Sequence, residues 1–463
     1  MPPNMDHPPN LLSLPNEVLA TICAQTEGRE WSEIFRHPLK FLRLTCKHLY
    51  VPATKEFAKK FFTIPNVMVN TYSLQALVDI CAHPIIGPYV DGVTLDAFRL
   101  GPDTYRRIQG KLEASITDGD IKSMKKHGNE LQGLLEALEE DEILDDGGLA
   151  VNLLAKALKC IKTRRGEVAY LAVTSQYSNI GDGKGLGKLP NDRKTVWQNE
   201  ASHLKPMSAL RMLVDAAKRS GCRINQFEFD VPSYENFIEL KSHIERAIST
   251  ASDVFAGLES FGIHLRSAGA QRYSEDLAKI LPLAKSISAL ELSATSLVND
   301  KRILHAGDSL QEIANILDSV NSDTLRRVKL EGFICEQDDL RRFLDRHNST
   351  IKELSFSNLV MAGSWDELLE WIGANLHLEK LELKALGTID ENASNDENGG
   401  DFPVKWACPE VLQGEEQVRL GLMEILEQKR SADDKRLHDE EEGEREEFEE
   451  IEEIEEVEDE IPV

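Results

Sequence analysis

The sequence contains few cysteines, and none of them is spaced from another in a recognisable ligand pattern. Its seven cysteines are scattered singly, without a Cys-x-x-Cys motif. An odd number of widely spaced cysteines argues against a disulfide framework and against a zinc site. We therefore expect no metal site and no cofactor.

The chain also lacks a long apolar run. No segment approaches the roughly 18 consecutive apolar residues of a membrane-spanning helix. The opening MPPNMDHPPN has neither the basic nor the apolar region of a signal peptide. From these absences we expect no membrane partner and a location in the cytoplasm, the nucleus or both.

Aromatic residues are scarce as well, and acidic residues outnumber basic ones. Aromatic residues make up 6% of the chain, which argues against an all-β sandwich, while a hydrophobic content of 41% supports a packed core. Lysine and arginine number 53 against 80 acidic residues, giving a net charge of −27. Such an acidic protein is poorly suited to bind a nucleic-acid backbone, because that binding needs basic patches that displace counterions.

Motifs for catalysis are missing too. The glycine-rich segment GDGKGLGK resembles a phosphate-binding loop only in composition, because a P-loop would need glycine at Asp182 and serine or threonine at Leu189. We find no GxSxG, HExxH or kinase catalytic-loop pattern. The sequence therefore contains no recognisable catalytic constellation.

Residues 11–62 contain three short amphipathic segments. The first begins at Leu14-Pro15, the second surrounds Cys46, and the third is expected to start at Pro52, since proline suits a first helical turn. The periodicity predicts three helices whose common core would be too small to be stable alone. Such a unit usually packs against a neighbour.

The stretches LPNEVL and LRLTCKHL within these residues resemble the F-box, in the form common among fungal F-box proteins. The resemblance implies that residues 11–62 dock on the Skp-type adaptor of a cullin–RING (SCF) ubiquitin ligase, while the rest of the chain selects the substrate. The positions that match the motif, and are therefore expected to bind the adaptor, are Leu14, Pro15, Val18, Leu19, Ile22, Leu42, Leu44, Cys46 and Leu49. Residues 25–40 form a longer connection than the family usually has. The alternative is a helical cap whose apolar stripes are ordinary core.

A weak repeat follows. One pattern, apolar-x-x-apolar-x-apolar, starts at Val90, Val168, Ile224, Leu258, Ile287, Leu325, Ile351 and Leu378. The last three starts are 26 and 27 residues apart, within the range of leucine-rich repeats, and helical stretches lie between them. We therefore predict an α/β fold: an irregular leucine-rich-repeat solenoid over residues 63–386, with parallel strands on the concave side and helices on the convex side. This region also resembles the divergent repeats that follow the F-box in many family members. An α/β domain without a true repeat is the alternative.

The repeat also predicts a binding surface. If the three apolar residues of each hexad point inward, the residues between them point outward along the strand. The outward residues expected to contact a substrate are Glu228, Asp230, His264, Glu291, Arg327, Lys329, Glu353, Lys380 and Lys384. The basic members lie toward the C-terminal end, where they could attract a phosphorylated segment.

The remaining boundaries follow from composition. We predict a disordered N-terminus at 1–10, loops near 139–148 and 175–191, a polar linker at 387–412 and a helix at 413–430. Residues 431–463 are predicted to form a disordered acidic tail, because 439–463 hold 16 acidic residues and one arginine.

These features favour a substrate-recognition subunit of an SCF-type ligase, bound through the adaptor to cullin and RING subunits and capturing a protein substrate. The resemblance implies that the ligase chemistry lies on other subunits, so this chain is expected not to be an enzyme itself. A leucine-rich scaffold or inhibitor without a ligase role is the alternative. A third possibility is an acidic, histone-chaperone-like protein that uses its glutamate tail.

Overall fold

The computed structural model describes residues 14–25, 38–97, 102–146, 148–174, 206–232, 249–250, 252–266, 278–294, 306–388, 410–428 and 430–431. The chain divides into two compact units, Met1–Leu325 with Glu331–Phe333, and Arg326–Leu330 with Ile334–Val463. Both units combine helices with mostly parallel strands, so the predicted α/β class is confirmed. The predicted disordered N-terminus, the loop at 175–191 and the tail from 432 onward lie outside the described residues.

The first unit contains a parallel sheet. Its strands are β1 Asn66–Met68, β2 Gly92–Asp96, β3 Val168–Thr174, β4 Ile224–Pro232, β5 Ser260–Arg266 and β6 Ala289–Ala294. They lie side by side in chain order, and each pair is parallel. Across this register Leu171, Phe227, Phe261 and Leu290 are direct neighbours, so one side of the sheet carries a continuous row of buried apolar side chains.

Helices precede, connect and follow these strands in the chain. They are α1 Asn16–Ala24, α2 Pro38–Thr45, α3 Lys47–Phe61, α4 Thr71–Ala82, α5 Pro102–Thr117, α6 Ile121–Asp146, α7 Leu149–Arg165, α8 Pro206–Ser220 and α9 Ala306–Ser319. Helix α7 packs against both α4 and α8, and it buries Leu154, Leu158 and Ile161. It ends at Gly166, whose φ of 88° is the left-handed conformation that glycine adopts most easily.

The second unit repeats this arrangement on a smaller scale. Its strands are β7 Arg327–Glu331, β8 Ile334–Glu336, β9 Glu353–Ser357, β10 Val360–Ala362, β11 Lys380–Lys384, β12 Gly387–Thr388 and β13 Glu410–Gln413. Strands β7, β9, β11 and β13 are neighbours in that order, with β13 antiparallel to β11, and β12, β10 and β8 form a small parallel sheet. The helices are α10 Gln337–Arg346, α11 Trp365–Asn375 and a helix over residues 415–428. Ser364 caps α11 by accepting a hydrogen bond from the Glu367 N–H.

Every apolar hexad of the sequence lies at a strand. All 24 of its apolar positions, from Val90 to Leu383, are buried. Buried apolar residues at the hexad positions are therefore present in both units. The strand β1 and the sheet of β8, β10 and β12 were not expected, because segments of two or three residues are too short to show a periodic pattern.

Three predicted boundaries are wrong. The loop near 139–148 is helical as far as Asp146, because Leu144 is buried and Glu140 accepts a hydrogen bond from the Thr71 N–H. The polar linker at 387–412 begins and ends in strands β12 and β13, which pair with β10 and β11. Pro52 lies inside α3, which begins at Lys47.

No helix in the described ranges is both long and apolar enough to cross a bilayer.

Candidate interaction surfaces

The three N-terminal helices share a small apolar core. Cys23 from α1, Leu39 from α2, and Ala53 and Phe57 from α3 are buried together. The Phe57 ring lies 4.9 Å from the Phe61 ring, measured between centroids, and the Arg43 guanidinium stacks 4.6 Å above the Phe57 ring centroid. Burial raises the pKa of the Cys23 thiol, which is the expected effect of an apolar surrounding on a thiolate.

These helices also carry apolar side chains on the outside, most of all α1 and α2. Helix α1 exposes Val18 and Ile22, which are four residues apart and therefore share one side of the helix. Helix α2 exposes Phe41 (55%) and Leu44 (68%), which point away from the buried Leu39 because they follow it by about 200° and 140° of helical rotation. Core packing accounts for Leu39 but not for Phe41 or Leu44. The outer side of α2 is therefore a candidate contact surface.

The residues predicted to bind an adaptor fall into three groups. Pro15, Val18, Ile22 and Leu44 are exposed, whereas Leu14, Leu42 and Cys46 are half-buried. Leu19 and Leu49 are buried, so placing them on the contact surface was wrong. The helical period puts Leu19 on the same side of α1 as the core residue Cys23. The connection at 26–37 lies outside the described residues.

Three exposed residues with large hydrophobic side chains were not assigned to the surface from the sequence: Phe41 on α2, and Tyr50 and Val51 on α3. The spacing of Phe41 and Leu44, three residues apart in an eight-residue helix, was a signal that could have identified the pair.

A second surface lies on the strands of the first unit, on the side opposite the apolar row. Near the carboxyl ends of β2 to β6, the register places five polar residues side by side: Asp96, Thr174, Asp230, His264 and Ser293. Thr174 Oγ1 donates to Asp230 Oδ2 at 3.3 Å, and His264 Nδ1 lies 2.5 Å from Ser293 Oγ. All except His264 are buried, so this row is a packed polar layer.

Glu228 is the centre of a neighbouring hydrogen-bond group. The Tyr170 hydroxyl donates to Glu228 Oε2, and Gln226 Nε2 donates to Glu228 Oε1 at 2.9 Å. A Cβ at Gly262 would lie only 2.9 Å from Glu228 Cγ and 3.5 Å from His264 Nε2, so the missing side chain lets both approach the strand. Burial and, secondly, the bond to Glu228 raise the pKa of Tyr170 well above its usual range.

The strands of the second unit carry a different surface. Arg327 Nε donates to Glu353 Oε2 at 2.9 Å, and Lys380 and Lys384 lie 3.6 and 3.7 Å from opposite oxygens of Glu382. Lys380 pairs in register with Glu353. The side chains of Arg327 and Lys384 are 61% and 60% exposed, so these ion pairs are open to solvent.

The predicted substrate residues thus divide between the two strand surfaces. Glu228, Asp230, His264 and Glu291 lie on outward positions of the first unit, and Arg327, Lys329, Glu353, Lys380 and Lys384 on outward positions of the second. Asp230 is buried and accepts from Thr174, so its assignment as an accessible contact was wrong. Of the other eight, Arg327 and Lys384 are exposed and the remaining six are partly buried, and their contact with a substrate stays a prediction.

Within the described ranges, no group of three or more His, Cys, Asp or Glu residues is arranged to hold a metal ion. The polar groups on the strands can accept and donate hydrogen bonds to a bound chain. The described residues therefore provide surfaces for contact with another molecule, on the N-terminal helices and on the strands.

Comparison with known proteins adds little to these observations. No protein-family model matches the chain, and no curated protein matches it. Among solved structures, the apo form of 3-keto-D-glucoside 4-epimerase, YcjR, from E. coli covers 79% of this chain and 99% of its own, at 11% identity and a TM-score of 0.19. A TM-score this low carries no argument about fold or function.

Proposed function

We propose that the chain is the substrate-recognition subunit of an SCF-type cullin–RING ubiquitin ligase. Its N-terminal helices α1 to α3 would act as an F-box that docks on a Skp-type adaptor. Its strand surfaces would belong to an irregular leucine-rich-repeat solenoid that holds a protein substrate. The transfer chemistry would then take place on other subunits.

The observation that carries this proposal is the pair Phe41 and Leu44. Both are large, apolar and more than half exposed on a helix whose other side already supplies the core. Leaving such side chains in water costs about 1.5–3 kcal/mol each relative to full burial, so a protein contact that covers them is favoured. Val18 and Ile22 add two further exposed apolar side chains to the same small unit.

The solenoid is supported by the buried inward row of all eight hexads and by the polar or charged residues between them. A strand surface of this kind offers regularly spaced side chains to an extended or folded partner. The mixed charges of the second unit suit a substrate segment with several polar groups.

A binding assay with a purified Skp-type adaptor tests the proposal. We expect the full chain to bind, and the double variant Phe41→Ala/Leu44→Ala to lose at least about 30-fold in affinity, since truncating side chains at the centre of an interface typically costs about 2 kcal/mol or more. Isothermal titration calorimetry measures this directly.

The matched control is Ile121→Ala, which truncates a side chain that is 78% exposed on α6 and should leave the affinity unchanged. If the wild-type chain does not bind the adaptor, the proposed ligase function is wrong, and a leucine-rich scaffold becomes the better description.

A further inference from the structure

The second unit contains an open cavity that belongs to neither the N-terminal helices nor the strand surfaces. It lies between the C-terminal end of α11, the segment that leads from α11 to β11, and the first half of the helix over residues 415–428. Its volume is about 590 Å³. Sites that bind small molecules are typically clefts of about 300–1,000 Å³, with mostly apolar walls and a few polar groups that orient the ligand. The cavity is therefore large enough for a small organic molecule.

One part of the cavity wall is apolar. Ile372, Leu376 and Leu378 line it from the α11 side, and Val418 and Leu422 line it from the helix over residues 415–428. All five belong to the buried core, so the wall is held in place by packing on its far side. Such a wall favours an apolar group on the ligand, because covering that group removes its surface from water.

Four titratable side chains line the same cavity, and all four residues are exposed: His377, Glu415, Glu416 and Arg419. His377 Nδ1 lies 2.7 Å from Glu415 Oε1, so these two groups already pair with each other. Within the described ranges, the side chains of Glu416 and Arg419 have no hydrogen-bond or ion-pair partner. These two residues are three positions apart on one side of the helix, which places their Cβ atoms about 5–6 Å apart. The cavity thus presents one carboxylate and one guanidinium beside an apolar wall.

We propose that this cavity binds an α-amino acid with a large apolar side chain. The ammonium group of the ligand would pair with the Glu416 carboxylate, and its carboxylate would accept hydrogen bonds from the Arg419 guanidinium, whose planar donors match a carboxylate in two-pronged geometry. The side chain of the ligand would lie against Leu376, Val418 and Leu422. This inference does not depend on the ligase proposal.

The pair of opposite charges favours this ligand over other amphipathic molecules. An apolar anion would bring a second negative charge toward Glu416, and an apolar amine would bring a second positive charge toward Arg419, so each would meet repulsion. A peptide carries its terminal charges on different residues, and each residue adds up to about 3.3–3.6 Å of chain between them. An amino acid carries both charges on one carbon, which suits two partners that are less than one helical turn apart.

Isothermal titration calorimetry of the full chain with L-phenylalanine tests the proposal. We expect saturable binding with a dissociation constant of about 1 mM or lower, and no detectable binding of L-alanine, which lacks the large side chain. Phenethylamine lacks the carboxylate of phenylalanine, and 3-phenylpropanoate lacks its ammonium group. Each should bind at least about tenfold more weakly than phenylalanine, because hydrogen bonds to charged groups are stronger than those between neutral groups.

Variants of the full chain locate the site. Glu416→Gln and Arg419→Gln should each weaken phenylalanine binding at least about tenfold, since each removes one of the two charged contacts. Ala374→Trp places a large side chain at an exposed position that lines the cavity, and it should abolish binding. The matched control is Glu427→Gln, which makes the same charge change as Glu416→Gln at an exposed position of the same helix outside the cavity, and should bind like the wild type. Far-ultraviolet circular dichroism checks that each variant is folded.

Three results would overturn the inference. The first is a wild-type chain that does not bind phenylalanine. The second is equal binding of phenylalanine and of either analogue that lacks one charge, which would show that the two charges do not select the ligand. The third is phenylalanine binding that survives unchanged in Glu416→Gln, Arg419→Gln and Ala374→Trp, which would place the bound amino acid elsewhere on the protein. Binding of a Skp-type adaptor has no part in this test, so the inference and the ligase proposal can fail separately.

Discussion

The strand surfaces of the two units follow one sequence pattern but differ in how far their outward residues are exposed. In the first unit the outward residues near the strand ends, among them Thr174, Asp230 and Ser293, are buried polar groups with hydrogen-bond partners. In the second unit several outward residues, such as Arg327 and Lys384, are charged and exposed in open ion pairs, although Ser357 is buried. The inward residues of both units are the same kind of buried apolar side chain. The hexad pattern thus specifies a buried apolar side for each strand, whereas the exposure of the other side differs between the units.

This difference separates residues that stabilise the fold from residues that are available to a partner. A buried polar group that loses its partner pays the full cost of desolvation, whereas an exposed ion pair contributes little because water screens it. Substrate contact is therefore more readily assigned to the outward residues of the second unit than to the buried ones of the first.

The largest effects should come from the inward rows, where the units are alike. Phe227 in the first unit and Phe356 in the second are both fully buried. We expect Phe227→Ala and Phe356→Ala each to lower the free energy of unfolding by about 3–5 kcal/mol, the usual cost of a large cavity. Urea denaturation followed by circular dichroism and intrinsic fluorescence measures both. A loss below about 1 kcal/mol in either variant would show that its unit lacks the inferred core.

An intermediate effect should distinguish the outward rows. Asp230→Ala removes the acceptor of the Thr174 hydroxyl in a buried layer, so we expect a loss of about 1–3 kcal/mol. Lys384→Ala breaks a solvent-exposed ion pair and should change the stability by less than about 0.5 kcal/mol. Chemical denaturation of the two variants side by side checks the contrast, and equal losses would erase the distinction between the units.

The smallest effect is a pH dependence specific to the first unit. The folded protein holds the Tyr170 proton more tightly than the unfolded chain does, because burial and Glu228 raise the pKa of this hydroxyl. The resulting stabilisation is fully present below the unfolded pKa of about 10 and is lost as the pH rises from there toward the higher folded value. We expect the urea midpoint of the wild type to fall more steeply than that of Tyr170→Phe between about pH 9 and 10.5. Parallel curves for the two proteins would contradict the raised pKa of Tyr170.

The sequence predicted the strands of the repeat well but the surface of the N-terminal helices only in part. Each hexad carries three apolar residues within six positions, and that density is enough to specify a buried strand. On α1, by contrast, Val18, Leu19 and Ile22 look equivalent in the sequence, and only packing distinguishes them. Leu19 turns toward Cys23 and the core, while Val18 and Ile22 stay exposed.

The sequence alone determined the α/β class, the positions of the eight apolar hexads and the alternation of inward and outward residues, because these depend on local periodicity. Only the tertiary structure decided that Asp230 is buried whereas Lys384 is exposed, and that Phe41 and Leu44 lie outside a core already filled by Leu39 and Phe57. Burial depends on which elements pack together, and that depends on contacts between residues far apart in the chain, which a periodic pattern does not encode.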